Sequence, residues 1–106
     1  MRRSAPKALA SALHPGGSPP KTYTLEYSHN VASITIQTGP NRIRITFTDA
    51  LASTDYVVMV NGITSTANPD QLQLLDRQLT HCDIAIYDGA VFLSQLDRLM
   101  VAIFRG

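Results

Sequence analysis

A chain of 106 residues has room for one domain, and folding at this length buries roughly 60 to 65% of the unfolded surface. The hydrophobic fraction of 44% lies in the globular range, and the single cysteine, Cys82, excludes a disulfide within the chain. No apolar run approaches the roughly 20 residues that cross a bilayer, and the N-terminus lacks the continuous apolar core of a secretory signal. We therefore expect a soluble protein without membrane insertion, in an intracellular or virion setting.

The formal net charge of +1 conceals an asymmetry between residues 1–21 and residues 22–106. The first segment carries four basic residues and no acid (+4), and the remainder carries five arginines and eight acids (−3). Four prolines and two glycines in residues 1–21 disfavour a core, so we predict an N-terminal anchoring arm, with capping signals for a short helix over residues 4–13. Only this arm has the basic charge that nucleic-acid binding requires. Its predicted partner-anchoring residues are Arg2, Arg3, Lys7, Leu9 and Leu13.

Alternation of apolar and polar residues predicts three strands in the first half of the body. They cover residues 22–27, 31–38 and 42–48. Gly39, Pro40 and Asn41 are turn formers, and a connection this short predicts an antiparallel hairpin between the second and third strands.

Four further strands are predicted in the second half. Residues 56–60 and 99–104 are apolar on both faces, which is typical of strands covered on both sides. Residues 71–80 fit both a strand period and a helical spacing; we favour a strand, with a short helix as the alternative. Residues 83–87 alternate and lead into Asp88-Gly89, a strong hairpin signal. The whole pattern predicts an all-β domain over residues 22–106, an antiparallel β-sandwich or jelly-roll of about six to eight short strands.

Residue patterns that carry chemistry are weak in this chain. His81, Cys82 and Asp83 are adjacent, and neighbours on a strand point to opposite faces, so we expect no metal site there. Arg42 and Arg44 share a strand face that can bind an anion, and we favour a solvated face instead. With neither a nucleophile elbow nor a glycine-rich phosphate loop, we expect no enzyme activity, no catalytic residues and no cofactor.

The stretch RITFTDALASTDYVVMV, followed by DIAIYDGA and the terminal LMVAIFRG, resembles the C-terminal β domains of bacteriophage tail fibres and related virion fibre proteins. The resemblance spans roughly residues 39–106, and Arg105 departs from the pattern of the ending. It implies three copies around a threefold axis and exposed loops that meet a host-surface glycan or protein. The implied oligomer interface is on the final strand, at Leu99, Val101, Ile103 and Phe104. The matching residues are Phe47, Thr48, Ala50, Tyr56, Val58 and Val60 in the first stretch, and Val101, Ala102, Ile103, Phe104 and Gly106 at the end.

Three functions follow as hypotheses. The first is a bacteriophage virion structural protein, a small fibre or a tail- or collar-associated module that is fixed to other virion proteins by residues 1–21. The second is a capsid decoration protein that clamps neighbouring capsid subunits. The third is a free carbohydrate-binding module.

Overall fold

A computed structural model describes residues 6–14, 21–38, 41–64, 68–93 and 96–105, and these residues form an all-β fold. Within these ranges, none of the secondary structure is a helix of the length and apolar character that spanning a bilayer requires. The strands are β1 (Ala8–Leu13), β2 (Lys21–Thr22), β3 (Thr24–His29), β4 (Val31–Thr38), β5 (Asn41–Phe47), β6 (Tyr56–Ile63), β7 (Gln71–Arg77), β8 (His81–Asp88), β9 (Val91–Phe92) and β10 (Arg98–Arg105).

The strands form two antiparallel sheets that pack as a β-sandwich. Sheet A has the order β3-β1-β10-β6. Sheet B has the order β2-β4-β5-β8-β7, with β9 paired to the end of β8. Because β1 pairs along its full length with β10, the first and last strands lie side by side in the middle of sheet A.

The core lies between the sheets and is built from one side of each strand, as a strand's period of two requires. Sheet A contributes small and branched side chains, and sheet B contributes mainly isoleucines, each of which stabilises the fold by about 2 kcal/mol when fully buried. The core residues of the main strands are Ala8, Ala10, Ala12, Tyr56, Leu99, Val101 and Ile103 from sheet A, and Ile34, Ile36, Ile43, Ile45, Phe47, Cys82, Ile84 and Ile86 from sheet B.

The prediction for residues 4–13 is wrong where the structure describes them. Residues 8–13 form a strand, and they belong to the sandwich and not to a separate arm. Ala8, Ala10 and Ala12 are buried in the core, and β1 is hydrogen-bonded to β10 on one side and to β3 on the other. Pairing on both sides outweighs the helix propensity of alanine and leucine, which is a weak preference.

The strand predicted over residues 22–27 is divided at Tyr23 into β2 of sheet B and β3 of sheet A, and the remaining predicted strands are present. Residues 71–77 are a strand, the β4–β5 hairpin has the expected antiparallel register, and β8 turns into β9 at Asp88-Gly89. Gly89 has a φ of 60°, which glycine adopts without steric cost. The turn that carries Gly39 and Pro40 lies outside the described residues.

Candidate functional site

The two outer surfaces of the sandwich differ sharply in polarity. The outer side of sheet B carries Thr35, Arg44, Gln73 and Asp83, whereas the outer side of sheet A is mainly apolar. In sheet A, Tyr27 is 57% exposed, Val57 51% and Met59 59%. We call this surface the apolar face; its residues are Leu9, Tyr27, Val57, Met59, Met100, Ala102 and Phe104.

The apolar face follows directly from the sequences of β6 and β10. Both strands are apolar at successive positions, so one set of side chains fills the core while the other set points outward. Val58 and Val60 pack against the core, and Val57 and Met59 between them face solvent. On β10, Met100 and Ala102 lie opposite Met59 and its neighbours, and together they line a shallow depression of about 650 Å³.

The exposed area of the apolar face is similar to the largest apolar patch of a typical monomer, which is roughly 300 to 600 Å² and is often functional. Exposures near one half, applied to side chains of roughly 200 Å² each, give about 300 Å² from Tyr27, Val57 and Met59 alone. Contiguous apolar patches on monomers seldom exceed a few hundred Å². The half-buried Leu9, Met100 and Phe104 extend this area further.

An ion pair lies at one end of the apolar face. There Arg98 lies against Glu26, with Nε 3.1 Å from Oε1 and Nη2 donating to Oε2 at 3.2 Å. The Ser11 hydroxyl donates to the same carboxylate at 3.2 Å. The charges of Glu26 and Arg98 therefore compensate each other at this end of the face.

Most of the residues predicted for the oligomer interface lie on the wrong side of β10. Leu99, Val101 and Ile103 are buried in the core of their own subunit and cannot meet a neighbour. Phe104 points the other way and belongs to the apolar face. Strand β10 is therefore apolar on both sides because one side packs in the core and the other forms part of the apolar face.

The predicted anchoring residues have mixed positions. Leu9 is part of the apolar face, and Leu13 is exposed at the end of β1. Lys7 is exposed, and its backbone N–H donates to the Ile103 carbonyl at 2.6 Å. Arg2 and Arg3 lie outside the described residues.

The arginine pair on sheet B is an ion-pair centre and not the solvated face that we expected. Arg42 Nη1 donates to Asp83 Oδ2 at 2.7 Å. Arg44 donates to both oxygens of the same carboxylate, from Nε at 2.8 Å and from Nη2 at 3.0 Å. Asp83 is fully buried beneath these two half-exposed guanidinium groups.

Burial raises the pKa of Asp83, but the hydrogen bonds from Arg44 and Arg42 outweigh this effect and hold that pKa below its usual value. The hydrogen bond to Asp83 in turn raises the pKa of Arg44. The carboxylate is therefore charged at neutral pH, and the centre carries one excess positive charge.

Asp76 and His81 lie close to this centre, and their ligand atoms are within 4.8 Å of one another and of Asp83. Both oxygens of Asp83 already accept from guanidinium groups, and Asp76 accepts from Gln78 Nε2 at 3.0 Å and 3.1 Å. A cation here would compete with two arginines for one carboxylate. The arrangement therefore favours ion pairing over metal binding. Cys82, between His81 and Asp83, is buried on the core side.

Sequence reasoning missed the residues that dominate both sites. Val57 and Met59 lie in a run that was read only as buried, and its double apolar pattern does not indicate which side meets the core. No local pattern in the sequence marks Asp83 as the buried partner of an arginine. Its cross-strand pairing with Arg44 depends on the β5–β8 register, which joins residues about 40 positions apart.

Comparisons with protein-family models, curated proteins and solved structures gave no match to this chain.

Proposed function

We propose that this protein is a structural subunit of a bacteriophage virion, a small fibre or a tail- or collar-associated β module. The observation that carries the proposal is the apolar face of sheet A. The largest apolar patch on a subunit is often functional, and we assign this one to contacts within an assembly.

Copies of the same chain are the proposed primary partners, in a homotrimer as the resemblance to fibre domains implies. The apolar face supports self-association because three such faces, directed toward a common axis, remove their exposed apolar side chains from water. A standard interface takes about 800 Å² from each partner, and the face supplies a large part of its apolar centre. The polar side of sheet B then faces solvent, other virion proteins or a host-surface glycan or protein.

A charge placed in the apolar face tests this proposal. Met59→Lys should reduce the mass of the purified full chain in analytical ultracentrifugation from an oligomer to a monomer, because a lysine ammonium is costly to bury. Gln73→Lys adds the same charge on the outer side of sheet B and should leave the oligomer intact. Mass spectrometry of purified particles should find the tagged wild-type and Gln73→Lys chains but not Met59→Lys.

A monomeric wild-type chain at micromolar concentration would contradict the self-association. Particles that lack the chain would contradict the virion role.

A capsid decoration protein is the second candidate, because a polar sheet B surface opposite an apolar face also suits a clamp over neighbouring capsid subunits. The position of the labelled chain on the particle distinguishes it from a tail or collar component.

A further inference from the structure

At the edge of the sandwich formed by β6 and β7, sheet B extends farther than sheet A. Sheet A ends at β6, and β7 is the last strand of sheet B. Leu72 and Leu74 pair with Ile86 and Ile84 and therefore share their core-facing side. Yet Leu72 is 46% exposed and Leu74 43%, whereas Ile84 is fully buried. The core-facing side of β7 thus lacks a covering strand in sheet A.

Among the described residues, the edge of β6 beside this uncovered surface has backbone groups without a strand partner. The Tyr56 carbonyl accepts from Arg77 Nη1 at 2.9 Å, so it points away from β10 and toward β7. Because alternate residues of a strand direct their N–H and C=O groups to the same side, Val58, Val60 and Gly62 also direct theirs away from β10. In the part of the chain that the structure describes, β6 is the last strand of sheet A, so no strand pairs with these groups.

The composition of β6 leaves this edge open to pairing. Proteins usually protect an exposed edge with charged residues, proline or a bulge. The eight residues of β6, YVVMVNGI, contain no charge and no proline, and their register with β10 is unbroken. Arg77 covers only the Tyr56 end. Beside the other end lies a groove of about 280 Å³, lined in part by Val60, Gly62, Leu72 and Ile86.

We propose that β6 and the core-facing side of β7 receive an extended segment of a different protein, which pairs with β6 as a fifth strand of sheet A. Alternate side chains of this segment are apolar and cover Leu72 and Leu74. Its backbone supplies the partners that Val58, Val60 and Gly62 lack. This surface is separate from the apolar face, and the inference goes beyond the proposed oligomer.

Strand β7 extends beyond β6, and we call this extension the overhang of β7. The overhang explains why the segment is a lone strand and not the β6 edge of a second copy. If two copies paired through β6, each would bring the broader sheet B of its own sandwich beneath the added strand. That position is already occupied by β7. A segment without a second sheet behind it fits without this collision.

The test uses the full chain and a capped eight-residue peptide that alternates valine and threonine, with the same peptide N-methylated at alternate residues as the control. Addition of the peptide should shift the NMR signals of the Val58, Val60 and Gly62 amides and slow their hydrogen exchange. The N-methylated peptide should do neither, because it cannot form the strand hydrogen bonds. Leu72→Lys should weaken peptide binding about tenfold, the equivalent of about 1.4 kcal/mol. Gln73→Lys, on the other side of the same strand, should bind as the wild type does.

Three results would overturn the proposal. The first is slow exchange of these amides in the chain alone, which would mean that the edge is already paired. The second is equal binding of the two peptides or equal effects of Leu72→Lys and Gln73→Lys. The third is self-association of the chain that Leu72→Lys abolishes and Met59→Lys does not, which would assign the edge to a second copy.

Discussion

Arg44 and Asp83 face each other across β5 and β8, and the guanidinium donates to both carboxylate oxygens at 2.8 Å and 3.0 Å. This geometry is the bidentate pairing that arginine forms with a carboxylate. Arg42 adds a third hydrogen bond at 2.7 Å. The pair joins the middle of sheet B on the side opposite the core and is the strongest electrostatic feature of the described residues.

Replacing Asp83 with Asn should destabilise the fold by about 3 kcal/mol, the lower end of the cost of breaking a buried ion pair. The lower end applies because Arg42 and Arg44 are partly exposed and regain some hydration when the carboxylate is removed. Urea unfolding of the two proteins measures the difference. Asp55→Asn, at an exposed carboxylate, is the control and should change stability by less than about 0.5 kcal/mol. Equal effects of the two substitutions would contradict the role of the pair.

The Asp83 carboxylate should also make the free energy of unfolding depend on pH in the acid range. Its pKa is lowered in the folded chain, so in acid the unfolded chain binds a proton that the folded chain does not. The contribution of Asp83 to the free energy of unfolding is complete above the pKa of about 4 that its carboxyl has in the unfolded chain. It is lost as the pH falls through the lower pKa that the carboxyl has in the folded chain.

Urea unfolding from pH 7 to pH 2 checks this, because the gap in stability between wild type and Asp83→Asn should narrow below about pH 4. A gap that stays constant across this range would show that Asp83 keeps its ordinary pKa.

The sequence predicted most of sheet B, and it predicted β10 but not β1 at the centre of sheet A. Strands β4 and β5 have a clean period of two and a short connection, so local information suffices for their pairing. Ala8, Ala10 and Ala12 give the opposite local signal, because alanine is the strongest helix former and is depleted in strands. Their place depends on β10, which follows about 90 residues later.

The candidate sites depended on register in the same way. A doubly apolar strand has no sequence signal that separates its core side from its outer side, so Leu99 and Phe104 were predicted alike although they face opposite ways. The overhang of β7 beyond β6 depends on the strand order of both sheets. No single segment of the sequence therefore indicates that β7 extends beyond β6.

Asn30 should be a sensitive position because it combines an unusual backbone conformation with three side-chain hydrogen bonds. Its φ is 56°, at the corner where the chain passes from β3 in sheet A to β4 in sheet B. Its Nδ2 donates to the carbonyls of Lys7 and Asp49, and its Oδ1 accepts from the Asp49 N–H at 2.6 Å.

Two substitutions of Asn30 separate these contributions. Asn30→Gly keeps the conformation and loses the hydrogen bonds, at a cost of about 1 to 2 kcal/mol for a partly exposed residue. Asn30→Ala loses the hydrogen bonds and also disfavours the positive φ, so it should be less stable than Asn30→Gly by about 1 kcal/mol. Thermal unfolding of the three proteins measures the order, and an alanine variant more stable than the glycine variant would refute the strain argument.

Cys82 should be unreactive in the folded chain. Burial among the core residues and, to a smaller extent, the adjacent Asp83 charge raise the pKa of its thiol to about 12, so at pH 8 almost no thiolate is present. An aromatic disulfide reagent at pH 8 should therefore modify the native chain only as fast as it unfolds, and the unfolded chain at once. Cys82→Ala is the control for reagent specificity.

The raised thiol pKa also predicts lower stability in alkali. The unfolded thiol ionises near pH 8.5, whereas the folded thiol stays protonated, so ionisation favours the unfolded chain as the pH rises. Urea unfolding at pH 7 and pH 10 should show a loss of stability for the wild type that is smaller in Cys82→Ala. Rapid modification of the folded protein at pH 8, with no dependence on urea, would mean that Cys82 is accessible and that the β5–β8 core packs less tightly than its geometry indicates.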